Sequence, residues 1–219
     1  MFLPTGEGEI VAKELGTGGT RQTRPFLWLG NLPCLDLVNT EAVSEGEPVD
    51  MLAGFADLLA WLQEAGVVTE SAARAAQDRG KAETGAVFRE ALALRSSLRR
   101  MVERLTEGKG PTDEQLEVIN RVLAERPTHQ KLVRKGKDYS LAPVPERESA
   151  MQLLAPLAES AAWLLAEGDL ALLRRCENPK CVLYFYDVTR NGRRRWCSMA
   201  ACGSRAKAAA YYQRQRGGR

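Results

Sequence analysis

From residue 50 onward, apolar positions recur at helical spacing. Leu52, Phe55, Leu59 and Leu62 step by three and four behind Asp50, which is placed to cap the helix, and Gly66 ends it. A short Ala-rich helix follows Thr69. The longest pattern covers 82–107, where Val87, Ala91, Leu94, Leu98, Met101 and Leu105 form one core-facing stripe. Arg89, Arg95, Arg99 and Arg100 lie off that stripe and read as a solvated face. Gly108 to Pro111 stops the helix, and Thr112 with Gln115 offers a capping box for another through residue 126, with Leu116, Ile119 and Leu123 inward. Lys-Gly-Lys-Asp between residues 132–134 and 139–141 then predicts a small hairpin, delimited by Pro143 and Pro145. The last body helix, 146–167, carries Leu153, Leu157, Ala161 and Leu164, with a kink expected at Pro156. Asp169 is placed to cap a short helix that leads into Cys176 without a flexible linker. The fold class is therefore mainly α, a multi-helical body with a small β-hairpin.

Residues 1–25 lack an apolar block and read as a mobile tail; the body is expected over 26–173. Nothing resembles a signal peptide or an 18-residue apolar run, so the expected location is cytoplasmic, with no membrane contact. Within PFLWLGNLPCLDLVNTEAV, Asp36, Asn39 and Thr40 share one side of a strand or turn leading into a helix. Polar groups among apolar neighbours need partners, either in a network that pins the helix to its surroundings or in a small-molecule pocket. Cys34 reads as a small buried apolar residue.

The pattern changes at the last quarter, where four of the five cysteines form two pairs, CENPKC and CSMAAC. Cys176 and Cys181 have four residues between them, as do Cys197 and Cys202, and fifteen residues separate the pairs. Four thiolates saturate one Zn²⁺ and leave no position for a reacting water, so the expected metal is structural. Between the pairs, alternating apolar residues at 182–186, then Asn191-Gly192, then residues 193–196 predict a hairpin. The Ala-, Arg- and Lys-rich run after Cys197 predicts a helix opening near Ser198. Knuckle, hairpin, knuckle and helix make a treble-clef-like finger over 174–216.

Charge sharpens the picture. From residue 171 onward twelve Lys and Arg face two acids, a net +10, whereas residues 1–170 hold 19 basic and 26 acidic groups, a net −7. Arg193, Arg194, Arg195, Arg205, Lys207, Tyr211 and Arg214 would form a basic surface with aromatic residues interleaved, suited to a polyanion. Catalysis is not expected: there is one histidine, His129, and no GxGxxG, GxxxxGK[ST] or HExxH.

Two stretches resemble known families. RRWCSMAACGSRAKAAAYYQR, together with Phe185 and Asp187, resembles the CGNR zinc finger, with Ser204 standing where that family has Asn. Leu35-Asp36-Leu37-Val38-Asn39-Thr40 resembles the Leu-Asp-Phe-Val-Asn-Thr motif that opens the ABATE-type domain preceding such fingers. The resemblance implies a zinc-dependent, DNA-binding transcription regulator. Double-stranded DNA is the expected partner, with a homodimer and an unknown small-molecule effector in view. The alternatives are a zinc-stabilised protein-interaction or ligand-sensing protein, or an RNA binder.

Overall fold

A computed structural model describes residues 26–126, 129–135, 138–144 and 149–217. The expected 1–25 tail, the turn of the 132–141 hairpin and the start of the 146–167 helix lie outside these residues, as does the His129 side chain.

The first helix, α1 (Pro33–Val38), is a single buried turn and a half with proline at its start, where the missing N–H costs nothing. The chain then forms an antiparallel hairpin, β1 (Glu41–Ser44) and β2 (Glu47–Asp50), not foreseen from the sequence. Its turn residues Glu45 and Gly46 both have positive φ, at 54° and 93°, the backbone that a two-residue hairpin turn demands. Asp50 therefore ends a strand. The cap position of α2 (Phe55–Glu64) is Gly54, and the Asp57 carboxylate accepts from the Ala53 N–H instead.

Three helices follow as the periodicity indicates: α3 (Glu70–Gln77) capped by Thr69, α4 (Lys81–Thr106), and α5 (Asp113–Leu123) with the Thr112/Gln115 capping box complete in both directions. Val122 rather than Leu123 is fully buried on α5. A second hairpin pairs β3 (His129–Lys135) with β4 (Asp138–Val144), so His129 opens a strand. Pro156 produces no kink. It sits in the first turn of α6 (Ala155–Ala166), which a 3₁₀ turn over Ala150–Leu154 precedes. Asp169 caps a single 3₁₀ turn as expected.

The 26-residue α4 is the axis of the body. Val87, Ala91, Leu94, Leu98 and Met101 are wholly buried against α1, α2, α5 and the 150–154 turn. Arg95 and Arg99 do not face solvent. Arg95, 4% exposed, grips both Asp50 carboxylate oxygens at 2.7 Å and donates to the Thr40 hydroxyl at 2.9 Å. Arg99 donates to Glu41 Oε2 at 2.7 Å and to the Val38 carbonyl at 2.6 Å. Two arginines one turn apart thus bolt the β1–β2 hairpin and the end of α1 to the central helix.

Candidate metal centre and nucleic-acid interface

The finger begins with β5 (Leu173–Arg175), which pairs antiparallel with β6 (Tyr184–Tyr186), and the Cys176–Cys181 knuckle forms the connection. The expected hairpin between the cysteine pairs is not formed. Residues 182–186 pair upstream with β5 rather than downstream with 193–196, because the chain leaves extended geometry at Asp187. That carboxylate, 1% exposed, accepts from the Thr189 N–H and hydroxyl and from the Arg194 N–H at 2.7 Å, winding residues 187–194 into a loop. Burial opposes its ionisation, but these donors hold the acid below its usual range. Asn191-Gly192 is a turn within that loop, with Gly192 at φ 56°.

The second knuckle has Ser198 as its cap, its hydroxyl accepting from the Ala201 N–H. One wide helical turn over Met199–Gly203 follows, closed by the Gly203 N–H donating to the Ser198 carbonyl. A Cβ on Gly203 would lie 2.6 Å from the Met199 sulfur and would displace that half-exposed side chain. Ser204 begins α7 (Ser204–Gly217), and its hydroxyl donates to the Met199 carbonyl at 3.0 Å.

Cys176, Cys181, Cys197 and Cys202 converge so that their four sulfurs lie within 4.8 Å of one another. The Cys181–Cys197 and Cys197–Cys202 separations are 3.8 and 3.6 Å. Zn–S bonds of about 2.3 Å in a tetrahedron place sulfurs about 3.8 Å apart, so the spacing fits zinc. Cys176, Cys197 and Cys202 are buried, while Cys181 is half-buried. Hydrogen bonds from Cys181 and Cys197 hold the Cys176 thiol well below its usual range, and the same Cys176 bond pushes Cys181 up. Four sulfurs this close all ionise only around a cation. The Asn178 side-chain amide donates to Cys202 Sγ at 3.2 Å and the Cys197 N–H to Cys176 Sγ at 3.4 Å, the outer bonds that a thiolate site uses. With all four positions taken by cysteine, a bound zinc ion would be structural, with no position left for a reacting water.

The body reaches this site through the first polar motif. In the β5–β6 pair, the backbone groups of Tyr184 and Tyr186 point away from β5. The Asn39 side chain meets the first as another strand would, Nδ2 donating to the Tyr184 carbonyl at 2.8 Å and Oδ1 accepting its N–H at 3.0 Å. Gly30 and Asn31 meet the second: the Tyr186 N–H donates to the Gly30 carbonyl at 2.9 Å and Asn31 Nδ2 to the Tyr186 carbonyl at 2.8 Å. Asp36 holds this segment in place, accepting from the Gly30 N–H at 2.7 Å. A Cβ on Gly30 would come within 2.9 Å of that same oxygen. Burial pushes the Asp36 carboxyl up to about 7 against opposing bonds from the Gly30 and Leu29 amides and the nearby Arg194 charge. Thr40 donates to the Leu37 carbonyl while accepting from Arg95. Asp36, Asn39 and Thr40 thus form a structural network, whose polar atoms face protein partners. Cys34 is buried, with its thiol pushed up to about 12 by desolvation.

Of the seven residues proposed for nucleic-acid contact, six remain on the surface. Arg194 does not. Its guanidinium is turned inward, donating to the carbonyls of Leu29, Trp196 and Cys197, and stacks 4.2 Å from the centre of the Phe185 ring. Desolvation lowers its pKa, and it serves as a peg between body, knuckle and metal site. Arg193 is exposed, whereas Arg195 is exposed but pairs with Glu177 at 2.5 Å and lies over Trp196. Arg205, Lys207, Tyr211 and Arg214 are all exposed on α7. Only Ala206 is partly covered between Ser204 and Gln215. The rings of Tyr211 and Tyr212 meet edge-on and stay 55% and 66% exposed, rather than packing on the finger.

Residues 31–168 match the ABATE family model, described as a putative stress-induced transcription regulator. The chain belongs to the ABATE family. Residues 173–215 match the CGNR zinc finger, so the ABATE body and the finger are consecutive, as the motifs indicated. No curated protein matches the sequence. Among the described residues of this ABATE chain, no helix is long and apolar enough to cross a membrane.

Proposed function

We propose that the protein is a non-catalytic transcription regulator that binds double-stranded DNA through the outer face of its finger. The carrying observation is α7, a 14-residue basic helix whose side chains from Lys207 to Gln215 are all exposed. A helix this short is marginal in water without packing, and a groove of a polyanion supplies both cover and countercharge. The net +10 of residues 171–219, set against −7 for the rest, favours approach of DNA to this end of the molecule alone. Arg205, Lys207 and Arg214 on α7, with Arg193 on the neighbouring loop, are the contacts this reading assigns. Arg194 is left out because its donors are already used.

The test is fluorescence anisotropy of a duplex oligonucleotide titrated with zinc-loaded protein across a salt series. Four to five neutralised phosphates give a log–log slope of about −3.6 to −4.5, and removing both Lys207 and Arg214 flattens it by about 1.8. Absence of binding at low salt, or a slope unchanged in the double variant, overturns the assignment. Preferential binding of a single-stranded RNA of the same length overturns the choice of duplex DNA.

A further inference from the structure

A cleft of about 410 Å³ lies where the C-terminal turns of α4 face the finger, between the body and the strands that precede the second knuckle. Its volume falls in the range of small-ligand sites, roughly 300–1,000 Å³. Leu173 and Tyr184, 5% and 2% exposed, form an apolar floor. One wall is acidic, carrying Glu103 and Glu107 at the end of α4, where the helix dipole adds further negative potential. The opposite wall carries arginines from β5 and the 187–197 loop.

Most of those arginines are committed elsewhere. Arg194 serves carbonyls, Arg195 holds Glu177, and Arg174 donates to the Gly192 carbonyl at 2.9 Å. The Arg175 guanidinium makes no hydrogen bond or ion pair among the described residues. Lys109 already holds Glu107 at 2.7 Å, so among the described residues the cleft presents one free cation, Arg175, and one carboxylate without an ion pair, Glu103, above Leu173 and Tyr184. A phosphate or nucleic-acid backbone meets the glutamates, and a simple cation meets the arginines. A small molecule bearing both charges satisfies both walls.

We propose that this cleft binds a zwitterionic amino compound, of free amino acid to dipeptide size. Its carboxylate pairs with Arg175, its ammonium with Glu103, and an aliphatic side chain rests on Leu173 and Tyr184. Such a ligand bridges the central helix of the body and the first strand of the finger, and so stabilises the two in one arrangement. Its binding is independent of the DNA reading, because the assay contains no DNA.

The experiment is a thermal shift and calorimetric titration of the full-length zinc-loaded protein with L-leucine and L-leucyl-L-leucine. The matched controls are 4-methylpentanoate, which lacks the ammonium, and leucinamide, which lacks the carboxylate. The expected result is a rise in melting temperature of about 3 °C for at least one zwitterion at about ten times its dissociation constant. Neither control reproduces it. Glu103→Gln and Arg175→Gln, both at exposed positions, each weaken binding at least about ten-fold, the loss of one charge-assisted contact, while zinc content stays at one per chain. The proposal is overturned if neither zwitterion binds at millimolar concentration, if a singly charged control binds as tightly, or if both variants bind like the parent.

Discussion

Replacing Asn39 tests how the finger is held. Its amide makes two hydrogen bonds, at 2.8 and 3.0 Å, to the backbone of Tyr184, and both residues are buried. Asn39→Ala strands one N–H and one carbonyl away from water. Each stranded group costs about 1–3 kcal/mol, so the expected loss is about 2–6 kcal/mol, with the lower half favoured if water enters the space vacated. Against a typical total of about 5–15 kcal/mol, that is a large fraction of the stability. Asn39→Asp adds a second signature. Its ionised carboxylate would set an oxygen against the Tyr184 carbonyl where Nδ2 now donates, and only the protonated acid restores a donor. The folded-state pKa of the new residue is therefore raised above the unfolded value of about 3.9. Its stabilising protonated form is fully present below that value and is lost as pH rises through the folded pKa. Guanidinium unfolding of the zinc-loaded protein at several pH values reads both variants against the parent, and taking the difference cancels loss of zinc common to all three. A deficit under about 1 kcal/mol for Asn39→Ala, or a pH-independent deficit for Asn39→Asp, refutes the strand-like role of this side chain.

Three further outcomes are expected. Arg194→Ala, by freeing the carbonyls of Trp196 and Cys197 and the contact to Leu29, accelerates zinc transfer to a chromogenic chelator, whereas Arg193→Ala leaves that rate unchanged. Arg95→Leu leaves the exposed Asp50 without its bidentate partner and the buried Thr40 hydroxyl without its donor, and lowers stability by about 1–2 kcal/mol in denaturant unfolding, since the acid left behind remains solvated. Asp36 has its pKa raised to about 7 chiefly by burial, so its contribution to stability is present below about 4 and fades as pH rises through about 7. Asp36→Asn, which keeps an acceptor for Gly30, removes this dependence, and the stability difference between variant and parent changes across that window.

The helices were legible wherever burial alone set the pattern. The α4 stripe follows from helical periodicity, and the Thr112/Gln115 box from the chemistry of orphan N–H groups. Arg95 and Arg99 escaped because a long cation off the apolar stripe reads as solvated. Their partners Asp50 and Glu41 belong to a hairpin whose signal, Glu45-Gly46 at positive φ, lies outside the usual Asn-Gly and Asp-Gly pairs. The metal cluster was legible because cysteine spacing encodes it almost directly. The strand pairing around it was not, since residues 182–186 had two possible partners. Asp187, an acid that captures three donors across the loop, ends the strand before residues 193–196 can pair with it. Arg194 was misplaced for a related reason: three consecutive arginines look equivalent in sequence, yet the middle one is aimed inward at Phe185 and the knuckle carbonyls.

The covering of β6 by Gly30, Asn31 and Asn39 bears on how freely this finger could be transplanted. The break between the two family matches falls in the few residues after 168, but the physical seam does not follow it. Cutting there leaves β6 with a bare edge from Tyr184 to Tyr186, its outward groups ready to pair with any other chain. The cassette that can be moved intact into another protein is therefore discontinuous: the zinc knuckles and helix from the end of the chain, with the 29–40 stretch from its beginning. Inheritance of the finger without that distant stretch would mean evolving a new cover for the same three residues.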